Sequence, residues 1–222
     1  MRIADLIVCI AAGVLIVLPV LFPELLPGFK AWTTACPFLS GFVKFALLAT
    51  FGESLALRIA TGAYLRPGFG VLPRALAWGV LGMSVSLAFT IFAAGAPALL
   101  ARMGFAHPQP VLVAFTVSLT MNCIYAPVLM LAHKLSDAHV ERTGGSLPAY
   151  LTTMPDIAAY FAAIDWSIMW GFVFRKTIPL FWVPAHVVTF LLPPYLRVGF
   201  AALLSVTLGV ILALAAHKAR SR

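Results

Sequence analysis

The stretch Phe181–Arg197, FWVPAHVVTFLLPPYLR, decides how this chain is read. It is apolar, yet Pro184, His186 and Thr189 interrupt it, and Pro193-Pro194 closes it before Arg197. With the residues before it, it forms an apolar segment, Thr177–Leu192, that is short for a full bilayer crossing. Arg175 and Lys176 at one end lengthen it by reaching back to the interface.

The rest of the chain supports a membrane reading. Of 222 residues, 62% are hydrophobic and 10% charged. A soluble domain carries about 25% charged residues, so these charges are too few to cover a water-facing surface. The net charge of +8 does not point to nucleic acid, because the basic residues flank apolar segments, where they set orientation and meet anionic lipid. Cys9, Cys36 and Cys123 are scattered with no ligand spacing, which predicts free thiols and neither a metal nor a disulfide framework.

At about 20 apolar residues per crossing, the pattern predicts an all-α, polytopic transmembrane helix bundle. It has about six spans plus one interfacial helix, in a single membrane domain over 1–222. The spans fall at 3–22, 41–63, 75–96, 111–133, 177–192 and 197–216. The first, Ile3–Phe22, has a weak signal-peptide character and is expected to be retained. The segment 156–174 carries Asp156 and Asp165 among apolar residues, with Trp166 and Trp170 suited to an interface; it reads as an interfacial or partly inserted helix, with a seventh span as the runner-up. Residues 24–40, 64–74 and 134–155 read as loops. Small residues recur at Ala75/Gly79, Gly82/Ser86 and Ala201/Ser205/Gly209/Ala213, a spacing that lets helix backbones approach in lipid.

On this arrangement Arg2, Arg58, Arg66, Arg74, Lys134, Arg142, Arg175, Lys176 and the basic tail face one side. Lys30, Lys44, Arg102 and Arg197 face the other. The asymmetry places both termini in the cytoplasm.

Counting depth along the spans puts Glu53, Asn122 and His186 near mid-membrane, with Thr120 and Thr189 close by. An ionisable side chain at that depth is a functional-site hypothesis by default. Together the five predict a polar layer, parts of a cation path or proton relay. The plainer reading of Asn122, Thr189 and His186 is interhelical hydrogen-bonding. Glu53 needs a partner on another helix, and His186 is the candidate. His133, Asp137, His139 and Glu141 have a metal-like composition, but a solvated helix end explains them. No nucleotide-binding, zinc-protease or nucleophile-elbow motif occurs.

The segment Trp182–Arg197 resembles the C-terminal signature of the Mpv-seventeen/PMP-twenty-two family of small multi-span membrane proteins. That signature runs Trp-Pro-x-x-Gln-x-x-Asn-Phe-x-x-x-Pro, then Arg and a final span. Trp182, Phe190 and Pro194 fall in register. His186 takes the Gln position and Thr189 the Asn position, while Pro184 is shifted and Arg197 comes one residue early. Gly52-Glu53, with Lys44 upstream, is similar to the family's Gly-Asp in its first span, and Asn122 followed by Ala126-Pro127 is similar to its third. The family-like core covers 42–218, with 3–22 as an extra N-terminal span.

The resemblance implies channel-like passage of ions or small solutes. The absence of a transit peptide and the basic bias favour a bacterial inner membrane. The expected partners are the lipid bilayer, ions or small solutes and a homo-oligomeric copy; no nucleic acid, cofactor or catalytic residue is expected. The alternatives are an assembly protein packing against partner helices and, behind it, a membrane-embedded lipid-modifying enzyme.

Overall fold

The computed structural model describes residues 3–220, less the side chains of a few residues near either end. The described residues are helical, with no strand among them. They divide into two compact units, residues 1–37 and 38–222.

The first unit holds α1 (Ile3–Leu21) and α2 (Leu25–Ala35). The stretch 24–40, expected as a loop, is largely helical despite Pro27 and Gly28. Pro27 lies in the first turn of α2, where a missing N–H costs nothing.

The second unit begins within α3 (Pro37–Thr61). Gly62 ends α3 at φ 83°, and its N–H donates to the Arg58 carbonyl at 2.9 Å. The chain then turns into α4 (Val71–Arg102). The junction depends on a close approach of two glycines. A Cβ on Gly70 would lie 2.7 Å from Gly145 Cα, and a Cβ on Gly145 would lie 2.7 Å from the Gly68 carbonyl oxygen. Both have positive φ, which other residues adopt at a cost. This places Arg74, expected in a loop, inside the first turn of α4.

The expected span 111–133 is two helices, α5 (Pro110–Ile124) and α6 (Ala126–Arg142), bent by 46° at Tyr125. Pro127 accounts for the bend, because it lacks an N–H and its ring clashes with the preceding turn. The helix α6 runs on through Arg142, so half of the expected polar loop is helical. Short helices α7 (Leu147–Thr152) and α8 (Ile157–Ala162) follow, then α9 (Trp166–Ile168). Asp156 and Asp165 each cap a helix, accepting from Ala159 N–H and from Ser167 and Ile168 N–H. The Ser167 hydroxyl and the Ile168 and Ser167 amides hold the exposed Asp165 carboxyl below the usual carboxylate range.

The single interfacial helix expected over 156–174 is therefore replaced by a break at 163–165. From there one helix continues as a π-wound stretch, π1 (Met169–Trp182), into α10 (Val183–Leu191). Pro179 cannot donate the usual backbone bond, and the Thr177 hydroxyl reaches back five residues to the Phe172 carbonyl at 3.3 Å. The last helix is α11 (Pro194–Arg220).

In the second unit α10 lies along α5, which packs on α4 and α6, while α11 touches α10 and α4. Phe45, Trp78, Val85, Phe89, Met121, Phe190 and Ala202 form the main core. Small residues set the spacing: a Cβ on Gly82 would strike the Gly41 carbonyl and Phe45, and one on Gly52 would lie 3.0 Å from Val206 Cα of α11. Polar residues face inward, with Ser118, Asn122 and Thr189 at 0% exposure, while Leu47, Leu87, Ile91 and Leu203 point outward. An apolar exterior around a polar-bearing interior suits lipid rather than water.

Among the described residues two helices, Val71–Arg102 and Pro194–Ala216, are long and apolar enough on their own to cross a bilayer. The count reaches four if the bent pairs α2/α3 and α5/α6 each make one span. The expectation of about six is not confirmed: length and composition give two to four among the described residues. The candidate spans identify a membrane protein.

Candidate functional site

Glu53, on α3, faces α4 and α6 rather than His186. Arg74 Nη1 lies 2.6 Å from Glu53 Oε2 and 2.6 Å from Asp137 Oδ1. The Arg74 Nε–H donates to the Phe69 carbonyl at 2.7 Å, and the guanidinium sits over the Phe69 ring. One turn along α4, Trp78 donates its indole N–H to Glu53 Oε1 at 2.8 Å. His133 meets the Trp78 ring edge-on, 4.2 Å between centroids. Its Nε2 lies 3.2 Å from Glu53 Oε1 and its Nδ1 3.2 Å from Asp137 Oδ2. One charged group thus ties three helices together. The Arg74 side chain is 9% exposed and the carboxylates 20% and 24%, so the attraction acts largely out of water, where screening is weak.

Asn122 and His186 form a second, neutral pair. The Asn122 side-chain amide donates to the Ser118 carbonyl at 2.8 Å and lies 3.0 Å from His186 Nδ1. The Ser118 hydroxyl donates to the Val183 carbonyl at 2.7 Å, a second tie from α5 to α10. His186 stacks on Trp182 at 5.2 Å and meets Phe89 edge-on at 5.8 Å.

The two groups stand at different levels. Glu53 is level with Trp78 and His186 with Phe89, and these lie eleven positions apart on α4. At 1.5 Å per residue that is about 16 Å. The expected single layer is therefore two polar stations, because depth counted from span ends misplaces residues when helices overrun or break. Thr120 and Thr189 belong to neither station's hydrogen bonding. Their hydroxyls donate to the Thr116 and Ala185 carbonyls of their own helices, at 2.7 and 2.9 Å.

A cavity of about 230 Å³ connects the stations. Glu53 and His133 stand on its wall with Asn122 and His186, and the remainder is mostly apolar, including Phe45, Ala49, Val85 and Met121. Gly52, Ala201, Ser205 and Gly209 complete the α3 and α11 side, where small side chains leave the space open. A second pocket of about 10 Å³ lies behind His133, bounded by Arg74, Ser136 and Asp137. It has room for about one water.

The motif residues have structural roles around this cavity. Trp182 carries His186, and Phe190 packs on Phe89 at 4.8 Å. Pro194 opens α11, and Arg197 donates from Nε to the Leu192 carbonyl at 2.9 Å while lying over the Phe190 ring. Lys44 is buried with its stem beside Gly199.

The group His133, Asp137, His139 and Glu141 separates. His139 turns away, its Nε2–H donating to the Tyr150 carbonyl and its Nδ1 paired with the Tyr160 hydroxyl, both at 2.9 Å. Sequence reasoning passed over Arg74 and Trp78 as site residues. Their spacing of four, matched by the four between His133 and Asp137, puts each pair on one helix face and was the available signal.

Comparison with protein-family models, with curated proteins and with solved structures finds no match to this chain. The family resemblance stands on the motif residues alone.

Proposed function

We propose that this chain is a polytopic membrane protein that passes ions or small solutes, in a channel-like manner, through the cavity between its two polar stations. The observation that supports this reading is the shared cavity: Glu53, Asn122 and His186, selected from the sequence for their depth, all line it. Largely apolar walls between polar ends suit a passage that gates by wetting and drying. On this reading the chain crosses the bilayer about six times, with both termini on the cytoplasmic side of a bacterial inner membrane. The alternative, an assembly protein presenting small-residue faces to partners, has less support. Gly52, Gly79 and Gly82 already meet Val206, Phe42, and Gly41 with Phe45 inside the chain.

The test is flux from proteoliposomes loaded with potassium or a small neutral solute. Ala49→Trp fills the cavity and is expected to cut flux at least tenfold, whereas Leu47→Trp on the outer face leaves it unchanged. Glu53→Gln is expected to shift cation preference. Flux that survives both Ala49→Trp and Glu53→Gln unaltered contradicts the proposal.

A further inference from the structure

The charge count around His133 does not close with ordinary ionisation states. Its ring nitrogens lie 3.2 Å from carboxylate oxygens, Nε2 from Glu53 and Nδ1 from Asp137, near enough for charge to act but outside hydrogen-bond alignment. Glu53 Oε1 accepts from Trp78, and Glu53 Oε2 and Asp137 Oδ1 both take the Arg74 guanidinium.

Arg74 contributes one positive charge against two carboxylates, in surroundings where uncompensated charge is strongly disfavoured. Lys134 and Glu141 on α6 act on the cluster at longer range with opposite signs.

We propose that Glu53, His133 and Asp137 form a proton-binding site that holds one proton beyond the one carried by a neutral imidazole. Whether that proton rests on the imidazole or on a carboxyl, the cluster with Arg74 becomes neutral. The Glu53, His133 and Asp137 ligating atoms lie within 4.8 Å of one another, a spacing that also suits a metal. Arg74, at 2.6 Å from both carboxylates, already occupies the place of a cation. A divalent ion in addition would leave the cluster positively charged, whereas a proton leaves it neutral.

The placement gives the site a use. Glu53 and His133 open on the main cavity, while His133 and Asp137 border the small pocket behind it. The proton can therefore be exchanged from either pocket. The inference concerns the cluster alone and stands whether or not solutes pass through the cavity.

The test uses the full chain in lipid nanodiscs at neutral pH, with ¹⁵N-labelled histidine and infrared spectra of the carboxyl region. His133→Gln assigns the ring signals; Glu53→Gln and Asp137→Asn assign the carboxyls. The expected result is a doubly protonated His133 ring, or one protonated carboxyl band that disappears in the matching variant. The wild-type spectra alone carry the proton count should a variant fail to fold. A neutral His133 ring beside two ionised carboxylates overturns the proposal.

Discussion

The two polar stations of the second unit solve the same problem in different ways. Around His133, four ionisable side chains from α3, α4 and α6 compensate one another's charge. Around His186, an amide and a stacked indole hold a neutral ring between α5 and α10. The first depends on charge balance, so removing one member leaves others uncompensated. The second depends on hydrogen bonds and packing, so removing one member leaves one unsatisfied atom. The comparison teaches that a polar residue inside a helical bundle has to be judged by what its loss leaves behind.

The largest effect is expected at Arg74. Arg74→Met leaves two carboxylates in the bundle without their cation, a loss of about 3–5 kcal/mol for a buried pair. Unfolding in mixed micelles should show it. Adding Glu53→Gln and Asp137→Asn should recover most of the loss, since the charges then vanish together. If Arg74→Met unfolds like the wild type, the stations do not differ as described.

A smaller loss is expected at Asn122. Asn122→Leu removes the amide from His186 Nδ1 and from the Ser118 carbonyl, at about 0.6–2 kcal/mol for an interhelical hydrogen bond within a membrane. A double-mutant cycle with His186→Phe should give a coupling of that order, and a coupling near zero would dissolve the pair.

The smallest effects are expected at Thr120 and Thr189. Each hydroxyl bonds a carbonyl of its own helix, so Thr→Val at either should change stability by about 0.5 kcal/mol or less. A larger loss at Thr189 would mean that its hydroxyl has a role across helices.

The helical class and the positions of the long apolar segments were legible from hydropathy and length. So was the inward orientation of Glu53, Asn122 and His186, because ionisable and amide groups do not face lipid. The partner of Glu53 was not legible. Arg74 sat next to Pro73 and a run of glycines that read as a loop, and only the Gly70–Gly145 approach carries it into the first turn of α4. His133 and Asp137 looked like a solvated helix end because α6 was expected to stop at His133. Hydropathy loses a helix once it turns polar, although the backbone hydrogen bonds continue to Arg142. The π-wound stretch had only Pro179 to signal it.

The most direct measurement for the account is whether water-borne reagents reach the cavity wall. Cys9, Cys36 and Cys123 are exposed thiols and are first replaced by serine. Single cysteines are then placed at Ala56 and Ser205 on the cavity wall and at Leu47 on the outer face. Each variant is treated in proteoliposomes with a charged, membrane-impermeant thiol reagent. The account predicts labelling at Ala56→Cys and Ser205→Cys and none at Leu47→Cys. Protection of both cavity positions, with the protein folded, would contradict it.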